Sequence, residues 1–333
     1  MSTKPPGRGS SSDFLHSEDQ LRLMVRVARM YYERGVRQSD ISKELHISQP
    51  RVSRLLKRAS EVGIVRTTVS LPTGVYLDIE EQLEQKYGLD QVVVVDTGSF
   101  GEDVTPALGA AAADYLAATL IGGDTVGISS WSATLLAVVG AMRPFRSPVV
   151  DTVVQLVGGI GDPQVQMQAT RLIDQFASNT GAEPLLLPTA GILDSSALRE
   201  SLMSDSSVTQ VLATWERLTV ALVGIGSVEP STLAAQSGNV FSAKDRAALD
   251  AAGAVGDICF RLFDTDGQKF PSEFNDRVSG ITPEQLLNVP RRIGIAGGPR
   301  KYAAIRGALL GQWINVLVTD IETARRLLEE PSA

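Results

Sequence analysis

Two kinds of stretch in this 333-residue chain carry side chains that can do chemistry. The first is QSDISKELHISQPRVSRLLKR, from Gln38 to Arg58, where Ser48, Gln49, Arg51, Ser53, Arg54, Lys57 and Arg58 form a strip of long donors and short hydroxyls. Such donors match base edges in a DNA major groove, with Gln49, Arg51 and Arg54 placed to reach them and Lys57 and Arg58 nearer the phosphates. The second kind is a set of Gly- or Ser-rich loops: Ser129, Ser130, Ser132 and Thr134; Gly158-Gly159-Ile160-Gly161; Gly224-Ile225-Gly226-Ser227; and Ala296-Gly297-Gly298-Pro299-Arg300-Lys301. Backbone N–H groups at helix starts, with hydroxyls and a lysine converging on them, suit a phosphate.

The loops differ in weight. Turn geometry alone explains the glycines of the second and third equally well. In the fourth, Gly297 and Gly298 let the backbone approach an anion while Arg300 and Lys301 supply charge. Neither GxxxxGK[ST] nor a complete GxGxxG is present, so neither a nucleotide triphosphatase nor a dinucleotide dehydrogenase is indicated. A small phosphorylated metabolite is the expected ligand.

The elements that must position these residues follow from periodicity. Ile41, Leu45, Ile47, Val52 and Leu55 bury one face of two short helices across a tight turn, with Ser39 and Ser48 as caps and Pro50 marking the second start. His46 takes the turn position and is read there as a residue tolerant of positive φ. Residues 19–34 form the supporting helix, with Leu21, Met24, Val25, Ala28, Met30 and Tyr31 on its apolar face, and Gly35 ends it. IVRTTVSL, 64–71, is a candidate wing strand with Arg66 on a phosphate. The head therefore reads as a winged helix-turn-helix over residues 19–72, preceded by a disordered arm, 1–18. YLDIEEQLEQKY, within a segment 73–90, is an acidic helix that serves as linker or oligomer contact.

Beyond Gly88, apolar runs alternate with helical stretches. The runs lie at 92–95, 125–128, 153–157, 218–225, 255–263, 292–296 and 314–319; the helices include 105–120, 164–178, 242–252 and 302–310. This predicts an α/β body over 91–333, doubly wound around a mostly parallel sheet, with ligands bound beyond the carboxyl ends of the strands. Asp320 is placed to cap the last helix.

Composition fits a basic head on an acidic body. Residues 1–66 carry 13 Lys and Arg against 7 Asp and Glu, the remainder 18 against 31, so +6 and −13 make up the net −7. Attraction for DNA is confined to the head. With one cysteine, Cys259, and two histidines, His16 and His46, neither a disulfide framework nor a zinc site is expected, and no cofactor is implied. No targeting segment or membrane span is legible, so the expected location is the cytoplasm.

From about Asp19 to the end the chain resembles the SorC family of bacterial sugar-responsive transcriptional regulators. The resemblance rests on QSDISKELHISQPRVSRLLKRASEVGIV, GDTVGISSWSATL, VVQLVGGIG, VALVGIGS, GAVGDICFRLFDTDG and IAGGPRKYAAIRGALLGQWINVLVTD. It implies a helix-turn-helix head on a non-catalytic body similar in fold to sugar-phosphate isomerases. It also implies an effector that is a sugar, polyol or sugar phosphate, double-stranded operator DNA as partner, and a homodimer or homotetramer. By the same resemblance Ser129, Ser130, Thr134, Gly158, Gly159, Asp257 and Lys301 line the pocket, with Lys301 meeting the phosphate and Asp257 accepting from a sugar hydroxyl. Many members have Trp-Gly directly after a single Ser in the first loop; here the order is Ser129-Ser130-Trp131-Ser132. The rival expectations are a sugar-phosphate isomerase-like enzyme with a fused head, with Asp257, Glu229 and Lys301 as its acid–base groups, and a scaffold without ligand.

Overall fold

The computed structural model describes residues 18–65, 75–98, 103–229, 232–238, 242–270 and 273–330. The chain divides into two compact units, Met1–Ser70 and Leu71–Ala333. The expected arm but for Glu18, which opens the first helix, most of the wing strand and Arg66 lie outside the described residues.

In the first unit α1 (Glu18–Ala28) runs into a π-helical turn, Arg29–Glu33, and Gly35 follows at φ +65°. Then come α2 (Gln38–Glu44) and α3 (Gln49–Glu61). Val27, Met30, Ile41, Val52 and Leu56 make the core, with Leu45, Ile47 and Leu55 packed partly against it. Met24, Val27, Ala28 and Met30 are buried, while Leu21 and Tyr31, expected on the apolar face, are exposed, Tyr31 within the π turn. His46 has φ +51°, as its turn position requires. Ser39 caps nothing, because α2 starts one residue earlier and has Arg37 at its N-cap. Ser48 holds the N-cap position of α3 in extended backbone, yet its side chain accepts no capping bond.

The second unit opens with α4 (Leu77–Tyr87) and β1 (Gln91–Val95). It continues through α5 (Thr105–Thr119), β2 (Asp124–Ile128), α6 (Ala133–Ala141), β3 (Val150–Gln155), α7 (Pro163–Thr180) and β4 (Glu183–Leu185). Helices α8 (Ser196–Met203) and α9 (Ser206–Trp215) lead to β5 (Val220–Gly224) and the short β6 (Gly226–Ser227). After α10 (Thr232–Gln236) and α11 (Ala243–Ala251) come β7 (Ala254–Ile258), β8 (Arg261–Asp264), α12 (Glu273–Asp276) and α13 (Pro283–Leu287). The unit closes with β9 (Arg291–Ile295), a 3-10 turn Pro299–Lys301, α14 (Tyr302–Leu310), β10 (Val316–Asp320) and α15 (Ile321–Glu329).

Seven strands form one parallel sheet in the order β1-β10-β9-β5-β2-β3-β4. Their alternate side chains feed two cores. Leu108, Leu116, Leu135, Val138, Leu172 and Phe176 of α5, α6 and α7 cover one face. Leu83, Val211, Trp215, Ile305 and Leu327 of α4, α9, α14 and α15 cover the other. Burial on both faces explains why these strands read as unbroken apolar runs.

Two elements depart from expectation. The run at 255–263 is a hairpin, β7 and β8, whose two-residue turn puts Cys259 at φ +54° and Phe260 at φ +61°. With β6 it makes a separate antiparallel sheet. Such turns usually carry Asn or Gly, and neither is present to mark it in the sequence. The acidic helix α4, expected as linker or oligomer contact, packs into the second unit. The Val92 and Val94 amides of edge strand β1 donate to Glu84 at 2.9 Å and to Glu80 at 2.8 Å, and Leu83 is fully buried. Lys86 Nζ donates to the Leu327 carbonyl at 2.8 Å, at the end of α15.

Candidate functional site

On α3 the apolar positions Val52, Leu56 and Ala59 turn inward. Ser48, Gln49, Arg51, Ser53, Arg54, Lys57 and Arg58 are all exposed. Pro50 sits in the first turn, where its missing N–H breaks no intrahelical bond. Arg58 is ion-paired with Glu61 at 3.1 Å, and Arg54 Nε reaches the Pro50 carbonyl at 3.4 Å. No ion pair among the described residues holds Arg51 or Lys57. The strip is a continuous row of donors.

In the second unit a cavity of about 640 Å³ opens at the carboxyl ends of the parallel strands. It lies where β5 adjoins β2: the chain leaves β2 towards β3 on one side and returns from β5 to β9 on the other. Such a reversal leaves a crevice that no connection covers. The loops after β2, β5, β9 and β10 wall it, and the hairpin β7–β8 closes one flank.

Ser129, Thr134, Asp257, Gly297, Gly298 and Lys301 all line this cavity. Ser130, Gly158 and Gly159 do not. The Ser130 hydroxyl is buried and donates to the Val157 carbonyl at 2.8 Å. A Cβ on Gly158 would meet the Ala190 carbonyl oxygen at 2.4 Å, and one on Gly159 the Gln155 side chain at 2.4 Å. These three residues shape the loop behind the wall. Gly298 also differs from expectation: its N–H donates to Asp320 Oδ2 at 2.7 Å and is not free for an anion.

Several polar groups in the lining remain open. The Ser132 side chain accepts from the Leu135 amide at 3.2 Å and caps α6, leaving the Ala133 and Thr134 amides as first-turn donors towards the cavity. The Thr134 hydroxyl has no partner among the described residues. Lys301 is half-buried in the lining of the same cavity, and no carboxylate among the described residues lies within ion-pair distance of its ammonium. Burial lowers its pKa and neighbouring Arg300 adds to that, while Asp257 opposes it. Burial pushes the Asp257 carboxyl up to about 6, against the Phe260 amide that donates to it at 2.9 Å and the charge of Lys301. Among the described residues no cluster of His, Cys, Asp and Glu could hold a metal ion, and no helix is long and apolar enough to cross a membrane.

The family model described as "Putative sugar-binding domain" matches residues 73–329, the extent of the second unit. The deoxyribonucleoside regulator of Bacillus subtilis is 34% identical over 314 residues, covering 94% of this chain and 99% of that one. The chain belongs to the SorC family of sugar-binding transcriptional regulators. The full-length crystal structure of the sorbitol operon regulator SorC from Klebsiella pneumoniae covers 94% of this chain and 100% of its own, with a TM-score of 0.71 and 32% identity. The transcriptional regulator LsrR of Escherichia coli K12 is 31% identical, covering 92% of this chain and 94% of that one.

As a SorC-family member the chain is a transcriptional regulator, not an isomerase. Asp257 and Lys301 share one cavity, while Glu229 is ion-paired with Arg300 at 3.1 Å on the exposed rim.

Several residues have roles in the site that the sequence did not show, and Arg246 was not singled out at all. Ser132, which departs from the common Trp-Gly order of the family, is accommodated by Gly224, whose Cβ would meet Ser132 Oγ at 2.6 Å. Asp320, expected only as a cap, accepts from Thr323 N at 2.9 Å and also pins Gly298, so it fixes the Lys301 loop. A Cβ on Gly226 would meet Asp257 Oδ1 at 2.1 Å, so this glycine lets the carboxylate lie along β6. Trp131 donates to the Gly158 carbonyl at 3.0 Å and is part of the wall. Arg246, on α11, lines the cavity too.

Proposed function

We propose that α3 reads an operator in the major groove and that a phosphorylated sugar or polyol in the cavity alters that binding. The head then works as a helix-turn-helix, α2 and α3 being its two helices, and a homodimer or homotetramer presents two heads to two half-sites. The observation that carries the effector reading is Lys301, without a carboxylate in ion-pair distance, lining the same cavity as the first-turn amides of α6 and the Thr134 hydroxyl. A half-buried ammonium in that setting is completed by an external anion. Asp257 is placed to accept from a sugar hydroxyl.

Fluorescence anisotropy on labelled DNA from upstream of the protein's own operon, with and without pooled sugar phosphates and free polyols, tests this. Tight, salt-sensitive binding that a phosphorylated pool shifts is expected. Lys301→Met should leave operator binding intact while lowering effector affinity at least about tenfold, the scale of one charge-assisted hydrogen bond. Operator binding that no pool shifts would favour a body without ligand; an unaltered response in Lys301→Met would place the anion elsewhere.

A further inference from the structure

Glu80 meets the Val94 amide and Glu84 the Val92 amide, so α4 runs antiparallel to β1 and its start lies beside the carboxyl end of that strand, the end at which the cavity opens. The body of the helix is fixed there. Leu83 is fully buried, and Lys86 donates to the Leu327 and Leu328 carbonyls at 2.8 and 3.1 Å. Residues 75–79, where the chain coming from the head enters the second unit, are held differently. Among the described residues their one side-chain hydrogen bond to another element runs from the Tyr76 hydroxyl to Asp96 Oδ2 at 2.8 Å.

Asp96 directly follows β1. Its other oxygen accepts from the Gly98 amide at 2.8 Å, and that bond together with the Tyr76 hydroxyl holds the carboxyl below its usual range. Thr97, between Asp96 and Gly98, lines the cavity. Val95, one residue earlier, is paired in the sheet with Asp320, which also lines the cavity and pins the Gly298 amide of the Lys301 loop. A ligand on that loop therefore bears, through two neighbouring strand ends, on the acceptor that holds Tyr76. Coupling of this kind needs an element with two discrete arrangements, and one exposed hydrogen bond at the end of an otherwise fixed helix costs little to break.

Resting on the effector reading above, we infer that the Tyr76–Asp96 hydrogen bond couples the cavity to the head: it is made in one arrangement of the regulator and broken in the other. Tyr76 is a positioning residue, since it does not itself line the cavity.

Tyr76→Phe keeps the ring that packs against the core and removes only the hydroxyl. The full chain is titrated onto labelled DNA from upstream of its own operon, with and without the pooled sugar phosphates. The variant is expected to change operator Kd about threefold or more, the scale of one hydrogen bond. Linkage fixes the accompanying shift. If the variant moves operator affinity in the direction in which the pool moves it, the half-effect concentration of the pool falls; if it moves it the other way, that concentration rises. Asp96→Ala should reproduce the shift and the double variant should add nothing to it, with thermal melts confirming that all three are folded. Operator affinity unchanged in either single variant, or changed with no linked shift in half-effect concentration, overturns the inference and leaves effector control standing. If no pool moves operator binding in the parent, the effector reading falls and the inference with it.

Discussion

Side chains of the same type have unequal roles on α3. Arg58 is tethered to Glu61, whereas Lys57 and Arg51 are untethered and Arg54 is held only loosely by the Pro50 carbonyl. Arg54→Ala should cost about 1–3 kcal/mol on the operator and much less on random DNA, measured by competition anisotropy. Lys57→Ala should weaken both DNAs alike and reduce the salt slope by about one. Equal losses for Arg54→Ala would remove it from base reading. Asp257 gives a prediction of definite sign. Its folded pKa, about 6, lies above the ordinary 3.8, so the native state keeps a proton that the unfolded chain has released. The stability this contributes is full below about pH 4 and is lost as pH rises through about 6. Asp257→Asn should therefore be more stable than the native chain at pH 7.5, by about 1–2 kcal/mol after allowance for solvent in the cavity. Thermal melts across pH 4 to 8 should show the difference closing at the acid end.

At the scale of elements, α4 seals the edge of the sheet. Strand β1 is an edge strand, and two of its amides donate to carboxylates of α4, a device that leaves no row of free donors for another chain. Glu84→Ala and Glu80→Ala should each destabilise the second unit by about 1–3 kcal/mol, read in urea titrations, because each strands a backbone donor. Glu84→Gln keeps an acceptor and should recover most of the loss. An alanine variant as stable as the parent would show that water replaces the carboxylate. The sequence showed this helix as acidic and amphipathic; its use could not be read, since Glu80 and Glu84 look like solvated charges until β1 is placed beside them. The hairpin at Cys259 and Phe260 was hidden for a related reason: its turn has no Asn or Gly, and the segment reads as one strand.

For the whole molecule, two units with separate cores and opposite charge divide the work. In the proposed reading the acidic body repels a duplex and leaves the head as the basic footprint. A chain cut to 71–333 should lose DNA binding yet retain effector affinity. At an effector concentration of one hundred times Kd its stability should rise by about 2.7 kcal/mol by mass action. Loss of effector binding in that fragment would mean that the head contributes to the site.

The sequence alone determined what depends on neighbours along the chain. It placed many of the helices and most strands, the donors of α3, the αL turn at His46 and the cap at Asp320, because periodicity, caps and turn residues are local. Tertiary structure decided which loops share a space. The order β9-β5-β2 brings Thr134 and Lys301 into one cavity, and β7, folding back on β6, adds Asp257. It also decided which promising groups are already spent: Gly158 and Gly159 on close packing, the Gly298 amide on Asp320, and the Ser130 hydroxyl on Val157. A backbone amide or a glycine carries no mark in sequence of the partner it will meet, and that partner is fixed only when distant strands become neighbours.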